Sequence, residues 1–199
     1  MYHKALKHFK KADPILYEVA INLEPFVLET APDHFIRLVR AIVGQQLSVK
    51  AAATIFERFK KLFKKEITAS EILKLNDDNI RKCGISYPKI KYIKDLAQKV
   101  NDKELLLETL IDAPEETVIS ELTKVKGIGA WSAEMFLMFA LGKEDVFSSG
   151  DMGLQNAIKK LYGLNTPTKE DLVKLSEKWS PYRTYACRIL WQSLDNSPK

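Results

Sequence analysis

A chain of 199 residues, 46% hydrophobic and 29% charged, has enough apolar side chains for one large or two small domains, and this balance excludes disordered and fibrous classes. Its net charge of +5 leans towards a polyanionic partner without naming one. Two widely separated cysteines, Cys83 and Cys187, with no Cys-x-x-Cys pair, exclude a disulfide framework, a zinc site and a four-cysteine iron–sulfur cluster.

The N-terminal "MYHKALKHFKK" is a basic amphipathic helix pattern without a signal-peptide core, and no apolar run reaches about 18 residues, so a cytoplasmic protein with no membrane partner is expected. "DHFIRLVRAIVGQQ" (33–46) carries Phe35, Leu38, Val39, Ile42 and Val43 at helical spacing. "SVKAAATIFERFKKLF" (48–63) opens on Ser48 as an N-cap and stripes Ala51, Ala52, Ile55, Phe56, Phe59 and Phe63 towards a core. Thr68 or Ser70 caps a short helix to Leu75, Asn76 another to Gly84, and Ser86 with Pro88 a third to about residue 100. A polar stretch from "NDKE" to "DAPEE" (101–116) separates these from "TVISELTKV" (117–125) and "AWSAEMFLMFALG" (130–142). Further helices are predicted from Asp151 to Tyr162, Thr168 to Trp179 and Tyr182 to Leu194. With no period-two strand and no fixed repeat, the fold class is all-α.

"VKGIGAWSAEM" (125–135) joins two of these helices by a Gly-x-Gly hinge. Gly127 and Gly129 can take positive φ and turn one helix into the next, a helix–hairpin–helix. The second helix then aims unpaired amides and its positive dipole end at the hairpin, a site for a phosphate, with Lys124 and Lys126 alongside. Each element also has a plain reading: a glycine-capped αα-hairpin, an N-cap at Asp151, and core indoles at Trp131 and Trp191.

Taken together, "LTKVKGIGAWSAEMFL" (122–137), "VFSSGDMGLQ" (146–155) and "RAIVGQQLSVKAAATI" (40–55) resemble the helix–hairpin–helix DNA glycosylase superfamily, and within it the alkylpurine (3-methyladenine) DNA glycosylases. "GISYPKIKYIKDLA" (84–97) and "WSPYRTYACRILW" (179–191) extend the likeness more weakly. The resemblance implies two helical subdomains, 31–148 with the hairpin and 1–30 plus 149–199, with a DNA-binding cleft between them. It implies a monomer acting on double-stranded DNA that contains damaged bases, nucleoid-associated, or nuclear in a eukaryote.

By motif matching Asp151 is the catalytic carboxylate. A fixed negative charge suits N-glycosidic cleavage because the sugar becomes positive as the bond breaks. Trp131 and Trp191, with Met135, Phe35, His34 and Tyr182 behind them, match the pocket for the extruded base. Gln46 matches the residue that fills the gap in the helix, and Gln45 and Ser48 its neighbours; Lys124, Lys126, Gly127 and Gly129 match the DNA-binding hairpin. No organic cofactor is implied. A sodium or potassium ion is, on the backbone carbonyls of Thr123, Val125 and Ile128. Relatives that also cut the strand carry a lysine where this chain has Trp131, so a monofunctional hydrolase is expected, with 3-methyladenine and 7-methylpurines as substrates and hypoxanthine left open. The loop departs from the family in having Ser148-Ser149 where a proline is common. A non-catalytic helix–hairpin–helix DNA-binding module and an oxidised-purine glycosylase are the alternatives.

Overall fold

In the computed structural model, which describes residues 1–194, every regular element is helical. The order is α1 (Tyr2–Ala12), α2 (Pro14–Ala20), α3 (His34–Gly44), α4 (Val49–Lys60), α5 (Ala69–Lys74), α6 (Asp77–Lys82), α7 (Tyr87–Asn101), α8 (Glu115–Thr123), α9 (Ala130–Phe139), α10 (Met152–Tyr162), α11 (Lys169–Glu177) and α12 (Arg183–Ser193). The described residues contain no strand. The chain forms two compact units, one of residues 31–136 and one of residues 1–30 with 137–199.

In the first unit, α7 is central and packs against α3, α5 and α6. It contributes Ile90, Ile93, Leu96 and Ala97 to the core, α3 contributes Leu38, Val39, Ile42 and Val43, and α4 contributes Phe56 and Phe59. Short helices begin where the caps dictate. The side chains of Asp33, Ser48, Thr68 and Asn76 accept from the amides of Ile36, Ala51, Glu71 and Asp78, respectively. The segment expected as a polar separator is more ordered than its composition suggests: Leu107–Leu110 is a 3-10 turn, and Leu105, Leu107 and Leu110 are buried.

In the second unit α12 is the hub. It buries Thr184, Tyr185, Ala186, Cys187, Ile189, Leu190 and Trp191, with α2 and α10 packed against it. The sequence reading put the second division of the chain at 148/149, whereas the units divide at 136/137, inside α9. The reason lies in segment 143–146, which is stitched to the start of α12. Thr184 N donates to Glu144 O, Val146 N to Thr184 Oγ1, and Thr184 Oγ1 to Lys143 O.

Asp13, fully buried, ties the N-terminal helices into this unit. Its carboxylate caps α2 through Leu16 N and accepts from Tyr162 Oη and from Trp179 Nε1 at 2.7 Å, with Lys178 Nζ at 3.0 Å. Burial alone would raise the carboxyl, but the hydrogen bonds from Tyr162, Trp179, Lys178 and the Leu16 amide outweigh it and hold it below the usual carboxylate range. A depressed carboxyl contributes stability above its unfolded pKa of about 3.9 and loses it as pH falls through the folded value. Asp13→Asn is therefore expected to cost roughly 2 kcal/mol at pH 7, or about 4–8 °C in Tm. The gap between variant and parent melts should narrow as the pH is lowered towards about 3.

Candidate active site and nucleic-acid interface

The hairpin is a tight turn held from inside. Val125 and Ile128 are buried, and Ile128 N donates to Val125 O at 3.1 Å. Lys124, Lys126, Gly127 and Gly129 are exposed around them. Only Gly127 takes positive φ, at +80°, so the expectation of left-handed backbone at both glycines is corrected for Gly129. A Cβ on Gly127 would lie 2.1 Å from the Tyr92 ring, whereas one on Gly129 meets nothing within 4 Å. The two lysines do not stand alone beside the turn. Lys124 Nζ donates to Glu121 at 2.6 Å, and Lys126 Nζ lies 3.5 Å from Asp95. These are surface pairs, each worth about 0–1 kcal/mol, and a phosphate can compete for either cation.

Between α3 and α4 the chain makes a short loop with Ser48 capping α4. Gln46 sits at φ +57°, a conformation uncommon for a residue with a side chain, and is exposed. Gln45 points elsewhere. Its Nε2 donates to Gly127 O at 2.7 Å, so the loop and the hairpin are directly joined. Leu47, 40% exposed, adds an apolar side chain next to Gln46 that the sequence reading did not single out.

The carboxylate of Asp151 is 8% exposed at the head of α10. Its Oδ1 accepts from Leu154 N at 2.8 Å and from Trp191 Nε1 at 2.9 Å. The N-cap reading of Asp151 is thus correct as far as it goes, but a surface cap has no need of a buried indole as a second donor. Two donors on one oxygen fix the plane of the carboxylate. Gly153 makes the arrangement compact: a Cβ there would be 3.1 Å from Asp151 Oδ1 and 3.3 Å from Trp191 Cδ1.

The approach to Asp151 is braced despite lacking the proline. Ser148 is fully buried, its carbonyl accepts from Asp151 N, and Gln155 Nε2 donates to Ser149 O. Upstream, Arg183 clamps Asp145 through Nε at 2.9 Å and Nη2 at 3.1 Å, and Ser180 Oγ adds a bond of 2.7 Å. Burial would raise the Asp145 carboxyl, yet Arg183 and Ser180 hold it below the usual carboxylate range.

The model of the HhH-GPD superfamily of base excision DNA repair proteins matches residues 39–181, which contain the loop, the hairpin and Asp151. The chain belongs to this superfamily. It is 37% identical over 166 residues to DNA-3-methyladenine glycosylase 1 of Schizosaccharomyces pombe, covering 78% of this chain and 70% of that one. A putative DNA-3-methyladenine glycosylase of Bacillus subtilis is 32% identical over 166 residues, and the match spans 79% of this chain but only 58% of that relative's length. Among solved structures, a DNA-3-methyladenine glycosidase from Bacillus halodurans superposes with a TM-score of 0.86 at 38% identity, covering 95% of this chain and 88% of that one. The S. pombe 3-methyladenine DNA glycosylase in complex with abasic DNA gives 0.81 at 32%, covering 98% and 100%.

The HhH-GPD chain distributes the predicted base-pocket residues over both of its units. Trp131, 45% exposed, stands on the first turn of α9 with the half-buried Met135 one turn further on. His34 meets the Phe136 ring edge-on at 5.6 Å, and Phe35 beside it is half-buried. Trp191, matched to the base pocket and with a core indole as its plain reading, is 1% exposed, with its N–H on Asp151 and its ring 5.9 Å from that of Phe139. Tyr182 does not join it. It is the N-cap residue of α12, roughly 14 Å along the helix from Trp191, and packs on His8 and Tyr185. Sequence reasoning missed Lys89, Tyr92 and Asp95 of α7, and also Gly153; the Gly-Asp-x-Gly spacing was the available signal for the glycine. Among the described residues no helix is long and apolar enough to cross a membrane, and no cluster of three His, Cys, Asp or Glu side chains is arranged for a metal.

Proposed function

We propose that this protein is a monofunctional DNA glycosylase that hydrolyses the N-glycosidic bond of alkylated purines, 3-methyladenine and 7-methylpurines, in duplex DNA and leaves an abasic site. The observation that carries this reading is the buried Asp151 carboxylate, oriented by Leu154 N and Trp191 Nε1, in a chain whose relatives carry 3-methyladenine glycosylase names.

The chemistry follows from charge. When the C1′–N bond breaks, its electron pair leaves with the base and the sugar becomes an oxocarbenium ion. Asp151 stabilises that cation, and a water attacks C1′ and passes its proton to the Asp151 carboxylate, which releases it to solvent. A base alkylated at N3 or N7 is already cationic, so it departs as a neutral molecule without a strong general acid. The exposed face of Trp131 suits such a base, because aromatic rings attract cations and stack on extruded nucleobases. Gln46 fills the gap it leaves, and the hairpin amides with Lys124 and Lys126 hold phosphate. The hairpin carbonyls of Thr123, Val125 and Ile128 would hold a monovalent cation, which would supply positive charge for a phosphate. Neutral carbonyl oxygens close together in sequence at one turn are a donor set that suits a cation of single charge.

The deciding experiment is incubation with DNA carrying 3-methyladenine, 7-methylguanine or hypoxanthine and identification of the freed bases. Release of none would reduce the protein to a DNA-binding module. Because position 131 is tryptophan, borohydride treatment during turnover is expected to trap no covalent DNA adduct; a trapped adduct would instead assign a Schiff-base lyase.

A further inference from the structure

Lys89, Tyr92 and Asp95 are spaced three apart along α7 and so share one helix face. That face meets both segments to which the reading above assigns DNA contact. Lys89 Nζ donates to Val43 O at 2.8 Å and to Gln45 O at 2.5 Å, binding the last carbonyls of α3 and the start of the glutamine loop. These groups have lost their intrahelical partners, and an ammonium carrying several donors suits them. One turn on, the Tyr92 ring fills the space that the missing Cβ of Gly127 leaves. A further turn on, Asp95 Oδ2 accepts from Lys126 N at 2.9 Å, and Oδ1 lies 3.5 Å from Lys126 Nζ. Gln45 Nε2 closes the circuit on Gly127 O.

We propose that Lys89, Tyr92 and Asp95 are positioning residues that hold the 45–48 loop and the hairpin at one fixed spacing, so that both engage the DNA backbone as a single rigid grip. The proposal rests on the DNA glycosylase reading. Three features separate it from ordinary packing. The bonds run from one helix to two different loops, not to a common core. The loop they fix contains the strained Gln46, a conformation that persists only where its surroundings over-determine it. Lys89 is spent inward on carbonyls, with its ammonium pulled below the usual lysine range by burial, so its part is to shape the loop.

The test is Lys89→Met, which keeps the aliphatic stem and removes both donors, with Lys89→Arg as the conservative control. The probe is a duplex containing a tetrahydrofuran abasic analogue, with affinity read by fluorescence anisotropy, alongside single-turnover release of 3-methyladenine across a range of enzyme concentrations and thermal melts. Lys89→Met is expected to weaken duplex binding tenfold or more while the rate at saturation stays within threefold of the parent. Lys89→Arg should recover much of the affinity. Adding Gln45→Leu to Lys89→Met should cost less than Gln45→Leu costs alone, since both act on the same spacing. If Lys89→Met does not fold, Lys89→Gln, which retains an amide donor, carries the same comparison. Parent-like affinity overturns the proposal. So does an affinity loss that tracks a fall in melting temperature and is not recovered by arginine. If the parent itself releases no base, the functional reading fails, while the ratio of variant to parent duplex affinity still judges the grip.

Discussion

Asp151→Asn is expected to reduce base release by a hundredfold or more while melting temperature and DNA affinity stay close to the parent's. Asparagine is chosen because its amide oxygen can keep both observed contacts. It can accept from Leu154 N and from Trp191 Nε1 as Oδ1 does now, and asparagine caps helices about as well as aspartate. What it cannot supply is negative charge opposite the developing sugar cation. Loss of a preorganised electrostatic partner typically costs about 3 kcal/mol of transition-state stabilisation, or roughly a hundredfold in rate. Single-turnover release of 3-methyladenine, with thermal melts of both proteins, separates the roles. Equal rates at equal Tm would leave Asp151 as a helix cap and move the chemistry elsewhere.

Gly127→Ala should be the most damaging single methyl in the hairpin, and Gly129→Ala should serve as its control. At Gly127 the new Cβ meets the Tyr92 ring at 2.1 Å while the backbone must stay at φ +80°. Left-handed strain and overpacking together are expected to cost about 3 kcal/mol, lowering Tm by roughly 6–12 °C. Duplex affinity should fall at least tenfold, because the displaced ring moves the turn whose amides are proposed to hold phosphate. Gly129→Ala, with ordinary φ and open space, should melt like the parent. Binding measured across a salt titration then tells whether phosphate approaches position 129, since only a close ligand would resent that Cβ. Parent-like folding and binding by Gly127→Ala would remove the hairpin from the DNA interface.

Local structure was readable because it is written in neighbouring residues. Ser48 and Asn76 cap the helices they were expected to cap, Thr68 rather than Ser70 caps α5, Ser86 heads α7 without a side-chain cap bond, and the α3 stripe is buried at Leu38, Val39, Ile42 and Val43. Motif order supplied the family. What stayed hidden depends on partners far along the chain. The Lys89 side chain was legible as a helical lysine, but its carbonyl acceptors lie 46 and 44 residues away. Nothing local says that the indole N–H of Trp191 meets a carboxylate 40 residues upstream. Tyr182 was grouped with Trp191 by shared motif, although their separation on α12 puts them at opposite ends of it. α2 went unread because seven residues show too little periodicity, and its cap, Asp13, is explained by tertiary contacts.

The division of the chain also sets a timetable. Residues 31–136 form one unit from a continuous stretch, whereas the other unit closes its ends across long separations. Asp13 waits for Tyr162 and Trp179, which lie 149 and 166 residues later, and Val27 O waits 161 residues for Arg188. During synthesis, α1 and α2 emerge ahead of α10 to α12 and must wait for them, and the closure entropy of so long a loop is met only when those helices have been made. The hairpin-bearing unit can be complete while α10 to α12 are still being made. A growing chain can therefore complete the hairpin-bearing unit before its carboxylate is seated, and the Asp151 site assembles after it.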